Sequence, residues 1–304
     1  MKGGSPVLRC GVRALDLTRP RIVGVLNITP DSFSDGGSLY DGALRSDALA
    51  RRVEAMQREG VDILDIGGES TRPGAVPVSP QEELDRVLPA LERVRAISDA
   101  LISVDTSTPE VIRQAAAGGA ELINDVRALR RPGALEAAAE TGAAVCLMHL
   151  RGEPQTMQDA PAYPNGVIDE VGDFLAGRLA ACRDAGIASD RILLDPGFGF
   201  GKTLEHNLTL LSGLDRLTGR FAQPWMAGLS RKSMLGQISG RSAPADRTVA
   251  GALAVVWALR GGARLVRTHD VGPTRDAIRM FEALTGAGEP AIEPPLPMAR
   301  GAGA

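Results

Sequence analysis

Aromatic residues make up only 3% of the 304 residues. A surface that reads unpaired bases by stacking needs more rings than that. A formal net charge of -3 leaves no excess of cation for a phosphate backbone, so no nucleic-acid partner is expected. Cysteine is scarce as well. Cys10, Cys146 and Cys182 show no paired spacing, and an odd set of three builds no disulfide framework. They read as reduced thiols of a cytoplasmic protein, with Cys146 in the core. Long apolar runs are missing: the longest helical one, Ala250 to Leu259, is too short for a bilayer. The opening MKGGSPVLRC lacks the apolar centre of a signal peptide, so no membrane association is expected.

What the chain has in quantity is short β-rich runs, each ending in a polar or glycine-rich cluster. Eight can be counted: IVGVLN from Ile22, ILDIGG from Ile63, LISVDT from Leu101, LINDV from Leu122, AVCLMH from Ala144, ILLDPG from Ile192, WMAGLS from Trp225 and LVRTHD from Leu265. Helical stripes lie between them, such as Leu49, Val53 and Met56 ahead of Gly60, and Val167, Val171, Leu175, Leu179 and Cys182. Ser79-Pro80 and Thr108-Pro109 mark helix entries. Apolar strands alternating with amphipathic helices imply an α/β protein with a covered parallel sheet, and eight units imply a closed (β/α)8 TIM barrel. A doubly wound open sheet is the competing arrangement. The expected layout is an N-terminal extension over 1–20, the barrel over 21–285, and a Pro/Gly/Ala-rich, disordered tail over 286–304.

In a barrel the chemistry sits where strands end. The residues there are polar throughout: Asn27, Glu69 with Ser70, Thr71 and Arg72, then Asp105, Asn124, His149, Asp195, Ser230-Arg231-Lys232, and Arg267 with His269. Two βα connections, Thr29 to Asp47 and Arg72 to Ser79, are long. Phe33, Phe198 and Phe200 fall in loops, as walls for a flat ligand would. Asp105, Asn124 and Asp195 offer acceptors to a planar edge bearing N–H and NH2 groups, which describes a guanine or a pterin. Lys232 is the expected counter-charge for the two carboxylates. Arg72, Arg267 and His269 beside Asn27 form an anion site suited to phosphate or pyrophosphate.

The stretch DPGFGFGKT (Asp195 to Thr203) imitates a phosphate-binding loop, but Pro196 stands where the first glycine belongs and offers no N–H. Lys202 is therefore expected in a structural or surface role.

Taken together, GVLNITPDSFSDGG, DIGGESTRPGA, LLDPGFGFGKTLEHN, GLSRKSMLG and LVRTHDV, in this order, resemble the dihydropteroate synthase family. The similarity runs from Arg21 to Leu284. It implies condensation of p-aminobenzoate with 6-hydroxymethyl-7,8-dihydropterin pyrophosphate, giving 7,8-dihydropteroate and pyrophosphate, with Mg2+ as cofactor. By the resemblance, Asp105, Asn124, Met148, Asp195 and Lys232 hold the pterin. Asn27 contacts the metal and, with Arg72, Arg267 and His269, the pyrophosphate. Phe33, Thr71, Pro73, Phe198 and Ser230 line the p-aminobenzoate site. Arg267, His269, Lys232 and Asp105 are the catalytic set. Sulfonamides are the implied inhibitors and a homodimer the implied assembly. Thr268 departs from the family's aliphatic residue, without touching either anion ligand. Two readings compete: a corrinoid-type pterin-binding methyltransferase domain, which does not need the two signature loops, and a catalytically silent pterin-binding relative.

Overall fold

The computed structural model describes residues 7–30, 39–71 and 75–286. The expectation for the tail beyond 286, the first six residues of the N-terminal extension, and the expectations for Phe33, Arg72 and Pro73 lie outside the described residues. An antiparallel hairpin of β1 (Val7–Cys10) and β2 (Arg13–Asp16) comes first, turning at Gly11 with φ +62°. Eight parallel strands follow: β3 (Arg21–Asn27), β4 (Ile63–Gly67), β5 (Leu101–Asp105), β6 (Leu122–Asp125), β7 (Ala144–Met148), β8 (Ile192–Asp195), β9 (Met226–Gly228) and β10 (Leu265–Thr268). They lie in the order β8-β7-β6-β5-β4-β3-β10-β9, and a parallel bridge from Leu194 to Trp225 brings the two edges together. The sheet is the barrel expected from eight repeats. The open-sheet alternative fails because its end strands meet.

Strand alternation explains how one barrel holds both a core and a site. Successive side chains point to opposite faces. The outward set, including Ile22, Leu64, Ile102, Ile123, Val145 and Leu194, is buried under the helices. The inward set changes character along each strand. At its lower end Val23, Ile63, Leu101, Leu122, Leu193 and Leu265 pack against Leu8, Cys10, Leu15 and Leu17, so the hairpin plugs the barrel floor. One or two inward steps higher come Asn27, Asp65, Asp105, Asn124, Met148, Asp195 and Arg267.

The helices start where local chemistry starts them. Ser79 caps α2 (Pro80–Arg95) in a reciprocal box with Glu82, an arrangement worth about 1 kcal/mol. Thr108 precedes α3 (Pro109–Ala117) without capping it; its hydroxyl donates instead to the buried Glu83 at 2.6 Å. The stripes on α1 (Ser46–Arg58) and α5 (Val167–Asp184) face the core as their periodicity requires. The remaining helices are α4 (Ala134–Glu140), α6 (Leu204–Ser212), α7 (Leu214–Thr218), α8 (Ser233–Ser239), α9 (Thr248–Arg260) and α10 (Val271–Thr285).

Candidate active site

A cavity of about 470 Å³ opens at the C-terminal ends of the strands. Its centre is an ion-pair system. Arg267 donates Nε to Asp65 Oδ2 at 2.6 Å and Nη2 to Asp105 Oδ2 at 2.8 Å. Asn124 donates Nδ2 to the same Asp65 oxygen at 3.3 Å. Arg267 is the hydrogen-bonded partner of Asp105. Lys232, the expected counter-charge, places its ammonium 3.9 Å from the centre of the Phe200 ring and acts on Asp195 and Asp105 through space. Burial pushes Asp105 up to about 7 against the pull of Arg267. Burial likewise brings Lys232 down to about 7, opposed by Asp195.

The mimic of a phosphate-binding loop resolves into a braced turn. Gly197, Gly199 and Gly201 all adopt positive φ, the backbone conformation that favours glycine. Lys202 is 3% exposed, which removes the surface alternative. Its Nζ donates to the carbonyls of Gly197 at 2.8 Å and Phe200 at 3.1 Å, and lies 2.8 Å from Nδ1 of His149. Burial pushes His149 down to about 2, so the imidazole is neutral. Gln158 and the Tyr163 hydroxyl donate to the carbonyls of Gly199 and Gly201, and Asn207 accepts from the Gly199 N–H. Thr203 caps α6 in a reciprocal box with His206. Gly201 and Lys202 are thus buried in protein, and Thr203, though exposed, is committed to the helix cap.

Of the two described phenylalanines here, Phe198 is 1% exposed and packs into the core. Both border the cavity, and Phe200 is the less buried of the two, seated beside Met148 and Met157.

The rim carries Asn27, Thr71, Ser230 and His269. The Ser230 hydroxyl lies 3.1 Å from His269 Nδ1 and accepts from the His269 N–H at 3.2 Å. Arg231 pairs with Asp270 at 2.6 Å. Thr268 is buried, and its hydroxyl accepts from the Asp270 N–H and from Thr274, both at 3.0 Å, which braces this corner from behind. The second long connection is rooted in a buried pair: Arg127 meets Glu69 at 3.2 Å, each side chain 5% exposed. Sequence reasoning missed Asp65, hidden inside an apolar run, and Arg127, whose partner lies 58 positions away. Among the described residues, no group of three or more acidic, histidine or cysteine side chains forms a metal cage.

The chain has clear relatives among known proteins. The family described as "Pterin binding enzyme" matches residues 23–269. The dihydropteroate synthase of Escherichia coli strain K12 is 49% identical over 279 residues, covering 91% of this chain and 95% of that protein. Among solved structures, the Yersinia pestis dihydropteroate synthase in complex with a sulfonamide drug superposes with a TM-score of 0.87. It is 46% identical, covering 92% of this chain and 99% of that one. The Burkholderia cenocepacia dihydropteroate synthase complexed with 7,8-dihydropteroate gives a TM-score of 0.82 at 45% identity, covering 93% and 98%.

Proposed function

The chain belongs to the pterin-binding enzymes, in the dihydropteroate synthase family, and from that premise we propose how its residues divide the work. The reaction is a transferase step that condenses p-aminobenzoate with 6-hydroxymethyl-7,8-dihydropterin pyrophosphate, giving 7,8-dihydropteroate and pyrophosphate. One observation carries the assignment: an acceptor wall of Asp105, Asn124 and Asp195 faces the same cavity as Lys232, Arg267 and His269. The wall suits the N–H and NH2 edge of a pterin. Lys232 suits a ring carbonyl or nitrogen, and Met148 packs on the ring.

A neutral arylamine is nucleophilic at pH 7, so the difficult step is departure of pyrophosphate from the exocyclic CH2. Arg267 commits Nε and Nη2 to carboxylates; its Nη1 makes no hydrogen bond to a described residue and is left for the anion. His269, steadied by Ser230, and Asn27 complete that side, with Arg72 assigned there from the sequence. Charge building on the leaving oxygen is stabilised by these fixed donors, while the surrounding carboxylates favour positive charge on the pterin. For p-aminobenzoate we assign Thr71, Ser230 and the Phe200 face, and retain Phe33 and Pro73 from the sequence. Phe198 borders the same cavity but is buried in the core, so its contribution is to fix the loop that carries Phe200. Arg267→Ala should lower kcat with little change in p-aminobenzoate KM; an effect confined to that KM would contradict the role.

Mg2+ fits the site in one way. Asn27 supplies one half-buried carboxamide oxygen beside the anion side, which suits an ion held mainly by substrate phosphates and water. When bound, the ion would neutralise charge on the departing pyrophosphate.

A homodimer is supported by an exposed apolar stripe. Val249, Leu253 and Trp257 on α9 are 74%, 69% and 47% exposed at four-residue spacing, and Met280 and Leu284 on the adjoining α10 are also exposed. Contiguous exposed apolar surface of this kind marks an interface. Among the described residues no helix is long and apolar enough to cross a membrane. Three buried free cysteines fit the cytoplasmic assignment.

A further inference from the structure

On the reading that this cavity takes a pterin, one fully buried carboxylate still lacks a part. Asp65 sits on β4, 0% exposed, two residues below Gly67. Its Oδ2 receives both Arg267 Nε and Asn124 Nδ2, while its Oδ1 is buried and makes no hydrogen bond to a described residue. An acid at the centre of a barrel with half of its acceptor capacity unused is costly. Its function therefore lies in the oxygen that is used.

A carboxylate only accepts, so the edge that Asn124 turns toward Asp65 is its NH2. The carboxamide is planar with two edges, and Asn124 borders the cavity. With NH2 held against Asp65, the oxygen is the edge left for a ligand. Arg267 is restrained in the same way. With Nε held by Asp65, the guanidinium meets Asp105 through a single N–H; freed of Asp65, it could take Asp105 in a bidentate pair and use up the lone pairs a ligand needs.

We propose that Asp65 is a positioning residue that sets ring specificity: by turning the NH2 of Asn124 away from the cavity and holding Arg267 by Nε, it keeps the wall acceptor-only. Asp105, Asn124 Oδ1 and Asp195 then meet the 2-amino donor edge of a pterin. The same bicycle with a 2-oxo group sets lone pair against lone pair. Sites built on buried hydrogen-bonding groups reject such analogues strongly. Asp65 itself does not border the cavity, so it acts through Asn124 and Arg267.

The test compares pterin with lumazine, its 2-oxo counterpart, by calorimetric titration of the full chain. Wild type should prefer pterin by at least about 100-fold. Asp65→Ala frees the Asn124 amide to turn over, and the preference should shrink by about tenfold or more through gain of lumazine as well as loss of pterin. Asp65→Asn should keep the preference within about threefold, because its carboxamide oxygen can take both donors while its NH2 occupies the unused Oδ1 position. A lesion that merely loosened the barrel would weaken both ligands together and leave the ratio alone, and that result would overturn the proposal. So would a wild type that binds both rings alike, or an Asp65→Asn variant that loses the preference as Asp65→Ala does. Asp65→Leu fills the same volume and asks the same question should the alanine variant not fold. Wild type binding neither ring would sink the pterin-site reading and this inference with it; wild type binding pterin with an unchanged ratio in Asp65→Ala would sink this inference alone.

Discussion

Lys202 and His149 face each other across 2.8 Å inside the barrel wall, a buried amine against a neutral imidazole. Two loop carbonyls take the other hydrogen bonds of the amine. Lys202→Met keeps the chain length and removes the donors, leaving buried acceptors without partners. We expect a loss of about 2–4 kcal/mol in urea unfolding, together with a larger rise in KM for p-aminobenzoate than for the pterin, because the amine ties down the turn that carries Phe200. Unchanged stability and kinetics would show that the contacts are incidental.

Glycines at positive φ should differ in tolerance according to what surrounds them. A Cβ on Gly197, at φ +68°, would lie 1.9 Å from the His149 carbonyl oxygen. On Gly199 the nearest atom is Cδ of Lys232 at 3.1 Å, a flexible chain that can shift. Gly11, at φ +62°, meets nothing within 4 Å. Alanine at Gly11 should cost about 1 kcal/mol from backbone strain alone, and at Gly197 several kcal/mol or the fold itself. Thermal melts giving equal losses at the two positions would contradict this account of the loop.

The pH dependence follows from Asp105, which is raised from 3.8 to about 7 by burial. Because the folded value lies above the unfolded one, the free protein gains stability from this group at low pH and loses it as pH rises through about 7. Lys232 is brought to about 7 as well, but a neutral lysine amine still donates to a ring carbonyl, whereas a donor edge needs the Asp105 carboxylate, so pterin binding should strengthen over that same interval. The rise in melting temperature caused by a saturating pterin should therefore grow between about pH 6 and 8. A rise that shrinks across this range would mean that Asp105 meets the ligand as an acid.

How much of this was legible in the sequence depended on whether the cause was local. Eight apolar runs gave the barrel because strand and helix periodicities are local, and the polar residues after each run gave its mouth. Asp65 was hidden because its neighbours Leu64 and Ile66 make the run look wholly apolar; only barrel closure brings it to Arg267, 202 positions away. Lys202 was ambiguous for a related reason. A Gly-Lys-Thr run does not say which way the amine turns, and here it turns inward to His149. Phe198 and Phe200 are two residues apart, so nothing in composition separates the buried ring from the half-buried one. The difference is one of burial, 1% for Phe198, set by the fold around it.

The α9 stripe can be tested without reference to catalysis. Leu253→Asp places a charge in its middle, at a residue 69% exposed, where it should leave the fold intact. Sedimentation should find wild type at twice the 31.8 kDa chain mass and the variant at the chain mass. A wild type that sediments as a single chain at micromolar concentration would contradict the dimer.

The most direct test of the central claim is pyrophosphate release from 6-hydroxymethyl-7,8-dihydropterin pyrophosphate, followed beside dihydropteroate formation, with p-aminobenzoate and Mg2+ present or withheld. The residue assignment requires release that needs both and matches dihydropteroate in amount, lost by about 100-fold or more in Arg267→Ala, where one stabilising donor of the leaving group is gone. Release that proceeds equally without p-aminobenzoate, or that survives intact in Arg267→Ala, would contradict it.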